Sequence, residues 1–297
     1  MSTRSSTADP DRSASTITFE AVTKHYPAPR GAAGRGPAVD SFSATVPAGT
    51  TTVLLGSSGC GKTTLLRMVN RMVEPSTGRV LLDGTDVRDS DPVSLRRSIG
   101  YVMQNAGLLP HRRVVDNIAL VPRLSGWDRA SATDRALELM DLLGLERALA
   151  RRYPYQLSGG QAQRVGVARA LAADPGLLLM DEPFGAVDPL VRRELQRELV
   201  RIRDEFATTV LFVTHDVEAA LTLGDQIIVL REGARVAQRG SAAELLTDPA
   251  DDFVARFLGV DDPDRELSLT EGAGGSVVSD ASGRVLGRLA GAPVVRT

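Results

Sequence analysis

A glycine-rich turn holding one lysine and two threonines stands at residues 54–71, in the stretch LLGSSGCGKTTLLRMVNR. The spacing Gly56-x-x-x-x-Gly61-Lys62-Thr63 lets backbone N–H groups and the positive end of the following helix close on an anion, with glycine permitting the close approach. Gly56, Ser57, Ser58, Gly59, Cys60, Gly61, Lys62, Thr63 and Thr64 then form a phosphate-binding turn. Lys62 would reach the β- and γ-phosphates of a nucleotide, and Thr63 would ligate Mg2+. A chance Gly/Ser-rich turn with a solvated lysine is the rival reading. The full spacing, set between an apolar run and a helical pattern, disfavours it. Cys60 points only weakly to redox chemistry and reads better as a small residue filling the turn.

A second cluster, LLLMDEP at residues 177–183, is an apolar strand ending in two carboxylates. Asp181 suits the shell of a Mg2+ ion, and Glu182 suits a base that orients an attacking water. A lone acidic strand end is a common cap, but two consecutive carboxylates after a buried run call for a cation nearby. In the third cluster, YQLSGGQAQRVGVARAL at residues 155–171, Ser158, Gly159 and Gly160 precede a helix and offer a hydroxyl and amides to an anion. One nucleotide does not need two such ends. The economical reading is that this end completes the pocket of a second subunit; taken alone, SGG reads as an N-cap turn.

These clusters need a scaffold. TITF, SFSATV and TTVLLG read as short strands, with the Gly/Pro loop PAPRGAAGRGPA between the first two. Helical spacing begins after Lys62. Strands recur at IGYVMQ, LLLMDE, TVLFVTH and DQIIVLRE with helices between the later ones, which predicts a largely parallel, helix-covered sheet behind a β-rich start. VVDNIALVPRL and DRASATDRALELMDLLGL are helical with no strand between them, so a helical insertion is expected over about residues 105–160. Residues 1–15, rich in Ser, Thr, Asp and Pro, are expected to be disordered. The main domain is expected over 16–260, with 261–297 a tail or a small incomplete module.

Composition bounds the function. The 297 residues are 42% hydrophobic, enough for one large domain or two small ones. A net charge of -2 and a pI of about 6.0 argue against broad nucleic-acid binding. Cys60, the only cysteine, cannot form an intramolecular disulfide. No apolar run approaches the roughly 18 residues a membrane span requires, and the N-terminus lacks the apolar core of a signal peptide. A cytoplasmic address is expected, with any membrane role exercised through partners.

Together these residues resemble the ATP-binding cassette (ABC) ATPases, over about residues 17–258. The resemblance implies an α/β fold: a P-loop NTPase (RecA-like) core with an N-terminal antiparallel β-subdomain and a helical insertion subdomain. It identifies Walker A as Gly56 to Thr64, the Q-loop glutamine as Gln104 in YVMQNAG, and the signature as LSGGQ ending at Gln161. Walker B is Leu177 to Asp181 with Glu182 following, the D-loop is GAVDPL with Asp188, and the switch histidine is His215 in FVTHD. ATP and Mg2+ follow as cofactors. Thr63, Gln104 and Asp181 would meet the metal, and Lys62, Gln104, Glu182 and His215 would serve catalysis, with His215 holding water and phosphate rather than acting as the main base. Tyr26 would stack on adenine, worth about 1–3 kcal/mol if base stacking elsewhere is a guide; its rival reading is a core aromatic in a hairpin. His25 and His111 read as surface residues.

The absence of long coiled coils and of a second cassette points, by the same resemblance, to the detached ATPase subunit of a transporter. It would work as a homodimer on the cytoplasmic face of the membrane, beneath separate permease subunits, with an extracytoplasmic solute-binding protein acting indirectly. Phrases such as LRRSIGYVMQNAGLLPHRRVVDNIALVP look like the osmoprotectant importers, which take up glycine betaine, carnitine, choline or related amines. Ala162 stands where glutamine is more usual, with no effect expected. SVVSDASGRVLGRLA looks like one strand-turn-strand of a CBS module. An importer of another small solute, such as an amino acid, and a soluble ATP-dependent switch protein remain as alternatives. Copurification with a polytopic membrane protein separates the switch protein from the transport readings.

Overall fold

The structure, a computed structural model, describes residues 14–27, 36–185, 189–206, 208–262, 267–272 and 275–289. Two compact units are distinguished, residues 1–242 and 243–297, so the division falls earlier than the change of composition near residue 260.

In the first unit, β1 (Ile17–Lys24) pairs antiparallel with β2 (Val39–Val46). Ile17, Phe19 and Val22 of β1 are buried, and Phe19 meets Phe42 edge-on at 5.3 Å. One apolar face under a partly solvated one is what alternation produces in an antiparallel sheet. The chain then runs through β3 (Thr51–Gly56) and helix α1 (Lys62–Val69), and returns to the first sheet as β4 (Thr77–Leu82) and β5 (Thr85–Asp86), giving the order β2-β1-β4-β5. The sequence reading did not find β4. Its first three residues are exposed and only Val80 is fully buried, so the alternation that betrays a strand is missing.

Helix α2 (Pro92–Ser98) starts cleanly because Asp91 accepts a hydrogen bond from the Ser94 N–H and proline occupies the first turn. It leads into β6 (Ile99–Val102). Helices α3 (Val114–Ile118), α4 (Leu120–Leu124), α5 (Arg129–Leu142) and α6 (Gly159–Leu171) follow with no strand among them. β7 (Leu177–Asp181), α7 (Pro189–Phe206), β8 (Thr209–Thr214), α8 (Val217–Leu223), β9 (Gln226–Arg231) and β10 (Arg235–Gly240) complete the unit. The second sheet runs β10-β9-β3-β8-β7-β6 and is parallel except for the edge strand β10, which the sequence reading also missed.

Every residue of β3, β7 and β8 is buried, as parallel strands covered on both faces must be. The register fixes the site. Leu55 lies opposite Thr214, Gly56 opposite Leu230, and Asp181 opposite Val213, so these strands end along one line at their carboxyl edge. That edge is where open α/β sheets bind ligands.

In the second unit, α9 (Ala242–Thr247) spans the boundary, and α10 (Asp252–Leu258) is capped by Asp251 at one end and by left-handed Gly259 at the other. A three-stranded antiparallel sheet follows: β11 (Leu267–Gly272), β12 (Gly275–Asp280) and β13 (Val285–Arg288). The strand-turn-strand read in SVVSDASGRVLGRLA corresponds to β12 and β13; β11 is an addition to it. The disorder expected at the N-terminus falls, through residue 13, outside the described residues. No helix among the described residues is long and apolar enough to cross a membrane.

Candidate functional site

The turn between β3 and α1 is shaped by its glycines. Gly61 sits at φ 112°, and a Cβ there would lie 2.4 Å from the Ala38 carbonyl oxygen, so no other residue fits. A Cβ at Gly59 would meet nothing within 4 Å, which leaves that side of the turn open. Helix α1 has no side-chain cap at its N-terminus, and its first N–H groups are available to an anion.

Lys62 is only 5% exposed, and its ammonium donates to the Gly56 and Ser57 carbonyls at 2.7 and 2.9 Å. The lysine is therefore curled over the loop rather than solvated. Cys60 is buried beneath it, and burial pushes the thiol above its ordinary range, against a weaker downward pull from Lys62.

One residue along, the Thr63 hydroxyl donates to Asp181 Oδ1 at 2.8 Å. The other carboxylate oxygen of Asp181 accepts from the Tyr101 hydroxyl at 3.3 Å and lies 3.7 Å from the Arg67 guanidinium. Sequence reasoning missed both partners. Arg67 follows Thr63 by one helical turn on α1, a spacing that could have flagged it; Tyr101 reaches Asp181 only because β6 and β7 are neighbours in the sheet. Burial, then the charge of Asp181, raise the Tyr101 pKa.

Glu182 adopts φ 48°, a left-handed conformation that costs a non-glycine residue of order 1 kcal/mol and turns the chain sharply off β7. Its N–H donates to the Val213 carbonyl at 3.0 Å. Its carboxylate meets His215 Nδ1 at 2.9–3.0 Å and accepts from the Thr214 hydroxyl at 3.4 Å. The Thr214 hydroxyl in turn accepts from the Asp216 N–H, and Asp216 caps α8 while pairing with Arg192 of α7 at 2.9 Å. Strained backbone and a doubly held carboxylate are features of a site in which orientation matters.

Gln104 lies beside the turn after Glu182: its Nε2 would be 3.4 Å from a Cβ built on Gly185. Tyr26 is 53% exposed, which removes the reading as a core aromatic. Its hydroxyl lies 3.4 Å from Thr64 Oγ1, and Lys24 sits 5.3 Å above its ring. His25 and His111 are exposed. Asp188 lies outside the described residues.

The structure thus brings together Lys62, Thr63, Asp181, Glu182, His215 and, at the rim, Gln104 and Tyr26. It does not bring in the turn of Ser158, Gly159, Gly160 and Gln161. There the Ser158 hydroxyl accepts from the Gln161 N–H at 3.2 Å, and the Gln161 side chain accepts from the Ser158 N–H at 3.1 Å, forming a closed capping box. Among the described residues no hydrogen bond or ion pair joins this turn to the others.

The family model described as ABC transporter matches residues 39–185. The chain is 48% identical over 254 residues to the osmoprotectant import ATP-binding protein OsmV of Salmonella typhimurium, covering 85% of this chain and 66% of that protein. It is 45% identical to the choline transport ATP-binding protein OpuBA of Bacillus subtilis, covering 82% and 62%. With the glycine betaine uptake system ATP-binding protein YehX of Escherichia coli it shares 50% identity, covering 76% and 73%. It therefore spans slightly under two thirds of the length of OsmV and OpuBA. Among solved structures, the dimeric bacterial ABC transporter cassette MJ0796 superposes with a TM-score of 0.69 at 32% identity, covering 76% of this chain and 98% of that one. A turn, two carboxylates and a histidine at adjoining strand ends, on a fold shared with that cassette and at half identity to a relative covered over most of its length, lead to one conclusion: the chain belongs to the ABC transporter family, as an ATP-binding cassette.

Proposed function

We propose that this chain hydrolyses ATP as the motor subunit of an importer for betaine-type or other quaternary amine osmoprotectants. It would act as a homodimer docked on separate permease subunits at the cytoplasmic face of the membrane, with a solute-binding protein outside. The observation that carries the ATPase reading is the convergence of Lys62, the Thr63–Asp181 pair and the Glu182–His215 pair at adjoining strand ends. The solute class rests on the relatives, which are named for osmoprotectant, choline and glycine betaine transport.

The residues fit a triphosphate with Mg2+. The uncapped start of α1 and the open side of Gly59 suit phosphate oxygens. A threonine hydroxyl beside a carboxylate is a hard oxygen donor set, which suits Mg2+ rather than a soft metal. Mg2+, when bound, supplies neutralisation of phosphate charge; Thr63 and Asp181 would hold it, with Gln104 at the rim.

The chain's own work is positioning and proton handling. Lys62 exchanges the Gly56 and Ser57 carbonyls for phosphate oxygens, and the loop backbone orients the chain of phosphates. Glu182 orients the attacking water and accepts a proton at its carboxylate. His215 donates from Nδ1 to fix that carboxylate, and the Thr214 hydroxyl adds a second donor at Oε2. Tyr26 offers an exposed ring to the base. The Ser158 turn, whose hydroxyl and amides lie at a helix start, would serve the nucleotide of the second copy rather than its own.

Lys62→Ala tests the core of this reading. Phosphate release should cease and ATP binding should weaken sharply, because the buried cation over the loop is lost. Retained turnover would sink it. In liposomes carrying the permease, glycine betaine, carnitine or choline should stimulate hydrolysis; indifference to all of them would move the assignment to another solute.

A further inference from the structure

Helix α6, whose N-terminus carries Ser158, also grips the loop that carries Gln104. Gln163, Gly166 and Arg169 recur every three residues and present one face of the helix to residues 103–107. The Gln163 amide, buried, donates to the Met103 carbonyl at 3.3 Å. The Arg169 guanidinium donates to the Ala106 carbonyl at 2.6 Å and to the Gly107 carbonyl at 2.7 Å. Gln104 is thus bracketed, with its preceding residue and its second and third successors all bound to one helix. Between the two side chains, Gly166 lets the loop settle onto the backbone: a Cβ there would lie 3.2 Å from the Ala106 Cβ.

The choice of arginine is informative. Arg169 is 8% exposed, and burial draws its pKa below the usual arginine value; no carboxylate among the described residues pairs with it. An apolar side chain would fill this space at lower cost in desolvation. What an apolar side chain cannot do is present a planar fork to two adjacent carbonyls. Those carbonyls belong to Ala106 and Gly107, both in left-handed conformations at φ 53° and 56°, a conformation free to glycine but costly to Ala106, so the clamp holds a locally strained residue.

We infer that Gln163 and Arg169 are positioning residues that fix the Gln104 loop to the helix bearing Ser158, so that Gln104 and Ser158 are carried on one rigid body. Gln104 then reaches its own nucleotide site and Ser158 reaches the second copy's site with a constant relation between them. The inference rests on the proposed role of Gln104 toward metal or water.

The test uses the full chain with Gln163→Leu, Arg169→Lys, Gln104→Ala, and Gln104→Ala combined with Gln163→Leu. Phosphate release, affinity for a fluorescent ATP analogue with Mg2+, and amide hydrogen exchange at residues 103–107 are read for each. Misplacing a group by an ångström costs up to about 10²-fold in rate, so Gln163→Leu and Arg169→Lys should lose between about tenfold and 10²-fold in turnover. Analogue affinity should stay within about twofold, and exchange at 103–107 should rise. In the Gln104→Ala background, Gln163→Leu should add little, since its effect passes through Gln104. A full additional loss there, or wild-type turnover with unchanged exchange in both clamp variants, would overturn the inference. Arg169→Lys retains the charge and stem, and Gln163→Leu is close in volume, so if one variant fails to fold the other still decides. Wild-type turnover in Gln104→Ala alone would instead overturn the reading beneath the inference, and the exchange data distinguish that case.

Discussion

Replacing Glu182 with glutamine separates catalysis from assembly. The side chain keeps its length and planar shape, and the backbone N–H bond to the Val213 carbonyl is untouched. The left-handed backbone at Glu182 remains as costly as before, so the variant inherits that strain rather than adding to it. One carboxylate oxygen becomes an NH2. The amide oxygen can still accept from His215 Nδ1, and the NH2 can turn toward Thr214 Oγ1, whose lone pairs can accept in place of its former donation. The net stability effect of trading such hydrogen bonds is about 1 kcal/mol, so the fold and the turn should survive. The catalytic effect should be much larger. A positioned general base contributes about 10²–10⁴-fold, or about 2.7–5.4 kcal/mol of barrier at about 1.36 kcal/mol per tenfold.

Lys62, Thr63 and Asp181 do not use Glu182 as a partner in the described hydrogen bonds, so affinity for ATP should hold within a few fold. Removing a negative charge beside a triphosphate also relieves repulsion. Both effects favour a persistent ATP-bound dimer. Single-turnover phosphate release gives the rate, nucleotide titration gives the affinity, and gel filtration with ATP gives the assembly state. Glu182→Gln should run as a dimer, and adding Ser158→Arg should return it to monomer by blocking the turn proposed to serve the second copy's nucleotide. A rate loss under about tenfold would refute the base assignment. A double variant that stayed dimeric would refute the composite site.

The remaining predictions concern the core beneath the site. Cys60 should resist alkylation by iodoacetamide at pH 8, by about tenfold or more relative to an unfolded control, because burial both hides the thiol and raises its pKa; mass spectrometry showing equal rates would contradict the placement. The same raised value sets a sign: the folded state holds the thiol proton more tightly, so its contribution is full below the ordinary thiol pKa and is lost as pH rises through the folded value. Phe212 is 1% exposed and meets Phe184 edge-on at 5.6 Å, so Phe212→Ala should cost about 3–5 kcal/mol in urea unfolding; a loss below about 1 kcal/mol would mean that this strand is not the packed centre described.

What was legible in the sequence follows from how each signal is encoded. β3, β7 and β8 are apolar from end to end because helices cover both faces, and such runs announce themselves. β4 and β10 do not. Half of each strand is exposed, and each is held by pairing, β4 with the distant β1 and β10 with β9 across a short turn, so backbone hydrogen bonds rather than side-chain pattern define them. In the second unit, β12 and β13 flank the turn at Asp280–Gly283 and were read from it, whereas β11 (LSLTEG), which pairs with β12 from Leu267–Asp280 to Gly272–Gly275, was not read.

The site divides along a related line. Residues placed by local geometry, such as Gly61 in a turn that admits no side chain and Lys62 beside it at the start of α1, were readable from spacing alone, although the curl of Lys62 onto the Gly56 and Ser57 carbonyls was not. Tyr101, Arg67 and Thr214 were not, because each acts by touching a carboxylate brought to it by the sheet. Asp181 shows why that omission matters. A carboxylate held only by Thr63 could rotate, whereas one gripped at Oδ1 by Thr63 and at Oδ2 by Tyr101, with Arg67 nearby, has its two edges assigned before any ligand arrives. Glu182 is held differently, with His215 Nδ1 within reach of both its oxygens and the Thr214 hydroxyl adding to Oε2. The two adjacent carboxylates are thus held by different partners: Asp181 is tied to α1 and β6, Glu182 to the end of β8. The sharp turn at Glu182 is what sends the two neighbouring side chains to different partners, and this is why strain is tolerated at that residue.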